Sequence, residues 1–146
     1  ALHAAAGQGH VAMVDALCAR GASVDPVTEL GFTPLMYAAR AGHAQVVRSL
    51  LAHGALPCAA EGAGYTALHA AAANGALEAA AALLDAGADL AARGVDGMAP
   101  LHLAARHGHT AVVRSLLARG AEPDAPSKER HTALHECAAA AGLGAA

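Results

Sequence analysis

The chain has 146 residues, 55% of them hydrophobic but only 2% aromatic, with no Trp and with alanine close to a third of the total. That balance suits helices packed closely through small side chains and excludes the Val-, Ile- and aromatic-rich pattern of a sandwich or barrel. The net charge of −3 lacks the basic excess of a nucleic-acid binder, and no apolar run reaches the roughly 18 residues of a membrane span before a charge, a His or an Asn breaks it.

Landmarks recur along the chain at one spacing. Leu2, Leu35, Leu68, Leu101 and Leu134 are 33 residues apart, as are Gly9, Gly42, Gly75 and Gly108, and the pairs Gly21-Ala22, Gly54-Ala55, Gly87-Ala88 and Gly120-Ala121. Three columns with one period define a repeat. The units are residues 1–25 (partial), 26–58, 59–91, 92–124 and 125–146 (partial).

The second unit shows the predicted elements best. Gly31-Phe32-Thr33-Pro34 is a turn feeding a helix, with Thr33 as N-cap and Pro34 at the first helical position. The helix runs from Leu35 to about Ala41, and Gly42 ends it. A second helix covers about Ala44 to His53, with Val46, Val47, Leu50 and Leu51 on one face, and Gly54-Ala55 closes it. An extended finger with a turn at its tip leads to the next unit. In the third unit Ala79 to Ala82 make the second helix thinner.

Thr33-Pro34-Leu35, Ala38-Ala39, Gly42-His43, Val46-Val47, Leu50-Leu51 and Gly54-Ala55 together resemble the ankyrin repeat. The fourth unit is closer still, in Pro100-Leu101-His102-Leu103-Ala104-Ala105, Gly108-His109, Val112-Val113, Leu116-Leu117 and Gly120-Ala121. The resemblance covers essentially the whole chain. It implies an all-α repeat solenoid, an L-shaped stack of helix-turn-helix pairs with projecting β-hairpin fingers. The chain departs from the pattern at Met36, where a His is usual, at Ala76 in place of the His of Gly-His, and at Arg130, which stands where Gly31, Gly64 and Gly97 stand. In the fifth unit Ala141 holds the glycine position and Gly142 follows one residue late. Neither end offers the polar face of a terminal repeat, so the chain is expected to be a piece of a longer array.

The ten histidines suggest metal at first sight. Yet His3, His69, His102 and His135 form one repeat column and His10, His43 and His109 another, which points to architecture. In ankyrin repeats the first of these typically hydrogen-bonds near the helix start and ties neighbouring units. His53 and His107 fall outside both columns as helix-end residues. No metal or cofactor is expected. Cys18, Cys58 and Cys137 are odd in number with no C-x-x-C pair, which favours a reducing compartment, cytoplasmic or nuclear. Cys18 and Cys137 read as buried small hydrophobes and Cys58 as the root of a finger. Ser49 and Ser115 occupy equivalent helical positions and read as structural. No nucleophile, acid–base pair or phosphate loop converges, so neither catalysis nor a small-molecule substrate is expected. The column that some ankyrin repeats fill with a hydroxylated Asn reads Asp25, Cys58, Ala91 and Asp124 here, which gives that modification little support.

Columns that vary between units are free to face a partner. At the fingers these include Glu29, Leu30, Asp96 and the column Phe32, Tyr65, Met98, His131; on the first helices they include Arg40, Asn74, Arg106 and His107. The resemblance places them along the concave groove between fingers and inner helices, the family's usual surface for binding another protein. Aromatics and Met favour interface hot spots, and Arg40 and Arg106 suit an acidic partner. Two other readings stay open: that the Phe32 column only packs across the finger bases, and that the array is a structural spacer or elastic element within a larger multidomain protein.

Overall fold

A computed structural model of the chain describes residues 2–121. The expectations for Arg130, His131, His135, Cys137 and the rest of the fifth unit lie outside the described residues. Within them are eight helices in four pairs: α1 (Leu2–Gln8) with α2 (Val11–Ala19), α3 (Pro34–Ala41) with α4 (Ala44–Ala52), α5 (Ala67–Ala73) with α6 (Leu77–Asp85), and α7 (Pro100–Arg106) with α8 (Thr110–Ala118). First helices stack on first helices in the order α1, α3, α5, α7, and second helices stack likewise. The result is an all-α repeat solenoid, two rows of helices with the core between them.

Local chemistry starts and stops α3. Thr33 is extended and its Oγ1 accepts from the Met36 backbone N–H at 3.3 Å, while Pro34 sits at the first helical turn, where a missing N–H is harmless. At the far end Gly42 adopts φ +80°, so that His43 N–H reaches back to Ala38 O and Gly42 N–H to Ala39 O. Both bonds satisfy carbonyls the helix leaves open, and only glycine enters that conformation without cost.

The core is made of the repeat columns. Leu35, Leu68 and Leu101 are buried with the paired alanines Ala38-Ala39, Ala71-Ala72 and Ala104-Ala105, whose small side chains let the first helices approach closely. Leu50, Leu83 and Leu116 are fully buried on the second helices, each contributing about 1.5–3 kcal/mol by its removal from water. Ala79 and Ala80 fill, without exposure, the places held by Val46 and Val47 in the unit before.

The fingers are tighter than the expected hairpins. Among the described residues there is one isolated antiparallel bridge, Ala60 with Thr66, and no strand ladder. Each finger tip is instead a turn closed by paired backbone bonds: Gly31 N–H to Thr28 O with Thr28 N–H to Phe32 O, then the same between Glu61, Gly64 and Tyr65, and between Gly94, Gly97 and Met98. Neighbouring tips are joined, Gly62 N–H donating to Leu30 O and Val95 N–H to Ala63 O, both at 2.8 Å. Among the described residues no helix is long and apolar enough to cross a membrane.

Candidate functional site

The first-helix histidines are ties between units. His69 is 1% exposed. Its Nδ1 accepts from Thr66 N–H at 3.1 Å, which leaves Nε2 to carry the proton and donate to Met98 O in the next unit at 2.9 Å. His3 Nε2 reaches Phe32 O at 3.0 Å in the same way, and His102 Nδ1 accepts from Ala99 N–H at 3.1 Å. Burial holds the His69 pKa below its ordinary value despite the carbonyl at Nε2, because a charged ring would lose its solvation and its acceptor atom.

The second histidine column works from the opposite side. His109 Nε2 donates to Ala73 O at 3.0 Å, and its ring lies against Gly75 so closely that a Cβ there would sit 2.6 Å from Nδ1. The His43 ring covers Gly9 likewise, at 2.9 Å. These histidines therefore join the first unit to the second and the third to the fourth. The junction between the second and third units has neither, because Met36 and Ala76 occupy the two positions.

A cavity of about 300 Å³ opens at that junction, in the corner between the finger bases and the first helices. Phe32 and Tyr65 form its finger side; Met36, Tyr37, Arg40, Ala70, Ala73, Asn74 and Leu103 come from α3, α5, α7 and the end of α5. Its walls are held in place. Tyr65 donates its hydroxyl hydrogen to Asp96 Oδ2 and meets the His69 ring edge-on at 5.0 Å, and its ring lies against Gly94, where a Cβ would come within 2.9 Å of Cζ. Burial, with Asp96 beside it, pushes the Tyr65 pKa up to about 12. Burial alone would raise the Asp96 pKa too, but the bonds from Tyr65 and from Met98 N–H outweigh it and hold it low. Tyr37 is fixed between His3, edge-on at 5.5 Å, and Phe32 at 5.9 Å.

The residues singled out in the sequence are thus divided. Phe32, Arg40, Tyr65 and Asn74 share the cavity. Glu29 and Leu30 stand exposed on a finger tip, Leu30 at 68%. Arg106 and His107 are exposed at the end of α7, and His107 stacks on His109 at 6.2 Å. Asp96 is committed to Tyr65 and to Met98 N–H. Met98 departs from the surface role expected of it: it is 4% exposed, packed beneath the fingers, and presents no face to a partner. Met36, Tyr37 and Leu103 were not among the expected partner-facing positions. A signal for two of them was available, since the column Ala4, Tyr37, Ala70, Leu103 varies between units as freely as those chosen.

Across the second helices, Ser49 Oγ and His53 Nε2 both donate to Asp15 Oδ1, the latter at 3.2 Å, and Arg119 pairs with Asp85 at 2.7 Å. The Ser49 and His53 bonds hold the Asp15 pKa low. Ser49 and His53 of the second unit thus both reach Asp15 of the first, a clasp between units. Cys18 is half-buried against the core, less enclosed than expected, and Cys58 is exposed. Burial pushes the Cys18 thiol pKa up.

Two sequence-family comparisons agree. Ankyrin repeats in three copies match residues 1–61 and 68–144, and ankyrin repeats in many copies match residues 42–84. No curated protein matches the chain.

Proposed function

The chain belongs to the ankyrin-repeat family, and on that footing we propose that it binds a partner protein along the row of finger bases and first helices. Repeats of this family are generally non-enzymatic protein–protein interaction modules. The observation that carries the placement is the convergence of variable positions on one cavity, where Phe32 and Tyr65 from two fingers meet Arg40 of α3 and Asn74 at the end of α5. Arg40, Asn74, Arg106 and His107 are exposed on the same first-helix row, so the surface beside the cavity is polar and partly cationic. An apolar recess with a polar rim matches the anatomy of an interface centre. The free thiols of Cys18 and Cys58 fit a reducing compartment, the cytoplasm or nucleus.

The test uses charge reversal, because Tyr65 also packs the fingers and its loss would disturb the fold. Arg40→Glu/Arg106→Glu, with folding checked by its melting curve, should weaken capture of a specific partner from the source lysate by about tenfold or more, the equivalent of 1.4 kcal/mol. Equal capture by both forms would move the site to another face. No specific capture by either form would favour a spacer.

A further inference from the structure

We infer that the cavity at the second–third junction is a socket for one large apolar side chain, aromatic or Leu- or Met-like, borne by an extended peptide segment of the partner with a carboxylate close by in sequence; this rests on the partner-binding reading above. The socket lies where the repeat departs from its pattern, and the departing residue Met36 is one of its walls. His3 and His69 each carry a ring from the first helix to the carbonyl of the following finger base, Phe32 O and Met98 O. Met36 stands in that column and cannot make the bond, so Tyr65 O keeps only the finger's own donor, Glu61 N–H. A carbonyl with one partner of two is a small loss. A flexible thioether in place of an anchored imidazole also leaves a wall that adapts to what enters.

Size and shape decide the class of occupant. About 300 Å³ is the floor of the roughly 300–1,000 Å³ range of small-molecule sites. It accommodates one bulky side chain with its backbone. The finger tips extend the surface beyond the socket, with Leu30 68% exposed on the second unit's finger and Val95 61% exposed on the fourth's. A chain running along the row could place further side chains there, which a free small acid could not.

Charge decides what accompanies the side chain. Both acidic groups of the finger bases keep their charge but are turned toward donors of the fingers themselves. Glu61 Oε1 accepts from Ala63 N–H at 2.9 Å and Tyr65 N–H at 3.0 Å, and Asp96 accepts from Tyr65 and Met98 N–H. Asn74 Nδ2 is spent on Ala70 O at 3.0 Å. Arg40, on the rim, has no hydrogen bond or ion pair among the described residues. Among the described residues Arg40 is thus the charged donor at the mouth that still lacks an acceptor, and the natural complement of a guanidinium is a carboxylate. The walls are already set by the Tyr65–Asp96 and Tyr37–His3 contacts, so little ordering is needed on binding.

A phage library of random 16-residue peptides, selected on the full chain, tests this. Binders should share one Leu, Met, Phe or Trp with an Asp or Glu within three positions, and the Met36 methyl resonance should shift on titration. Met36→His restores the tie that His69 makes and should fold at least as well, checked by its melting curve, yet lose affinity at least tenfold. Arg40→Gln should lose about fivefold. A library whose binders hold Met36→His and the parent equally overturns the socket, as does one that yields no Met36-dependent binder. 4-Phenylbutyrate binding as tightly as the best peptide overturns the peptide occupant. If Arg40→Glu/Arg106→Glu loses the lysate partner while Met36→His keeps it, the socket alone falls; if neither variant loses it, the partner-binding placement falls as well.

Discussion

The junction between the second and third units and the junction between the third and fourth have the same backbone and different glue. The second of these is crossed by the His69–Met98, His109–Ala73, Tyr65–Asp96 and Arg119–Asp85 contacts. The first has lost both histidines, to Met36 and Ala76, and is held by α3 on α5, α4 on α6, the Gly62–Leu30 backbone bond and the contact of Cys58 Sγ with Gly87 O at 3.6 Å. Stacking therefore does not require the polar ties. Buried Leu and Ala columns carry it, and the histidines add specificity of position. Because each repeat touches only its neighbours, one junction can be altered with little consequence for the others, and a chain can thereby open a recess at one place without giving up the array.

The sharpest way to break the comparison is to remove the central residue of each junction. His69→Ala should cost about 3–4 kcal/mol, since it orphans the buried Thr66 N–H, deletes the bond to Met98 O and empties the space beside Tyr65. Met36→Ala, losing a buried thioether that already borders open space, should cost about 2 kcal/mol. Urea unfolding of the two variants measures both; equal losses would mean the ties carry no more than packing does.

A smaller contrast lies in the glycines that end α3 and α5. Gly42 and Gly75 both have positive φ, +80° and +70°, so alanine is strained at either. At Gly75 the new Cβ would also displace the His109 ring, while at Gly42 it would meet only the Ala76 methyl, at 3.8 Å. Gly75→Ala should cost about 2–3 kcal/mol and Gly42→Ala about 1 kcal/mol. Making Ala76→His first should raise the cost at Gly42 toward that at Gly75, as read from the same urea midpoints.

The smallest expected effect is that of pH. Burial keeps the folded-state pKa of His69 below the ordinary 6.5. Stability from its neutral bonds is then complete above about pH 6.5 and is lost as the pH falls through the folded-state value. The urea midpoint should drop between pH 7.5 and pH 5.5 by more in the parent chain than in His69→Gln. An identical drop in the two would remove His69 from the pH dependence.

How much was legible in advance differs by kind of residue. Thr33, Pro34 and Gly42 act within one helical turn of themselves, so their roles followed from position. The period marks the His3 and His69 column as architecture, and the resemblance to the ankyrin repeat implies the ties that the two rings make. Phe32, Tyr65, Arg40 and Asn74 vary between units, and they share the cavity. Met98, chosen by the same rule, is buried, because variation in a column does not reveal how far each side chain reaches. Met36 is visible in the sequence as a departure but not as a wall, since the recess it borders forms only when the next finger stacks against it.

The 33-residue period, the helix boundaries and the core columns are already written in the order of the amino acids, because each rests on backbone preference and on spacing along one helix. It took the packing of one unit on the next to tie Tyr65 to Asp96, to cover Met98 and to place Met36 against a recess. Those outcomes depend on side chains about one repeat apart that meet only when the units stack, where close packing leaves no slack to hide a changed shape.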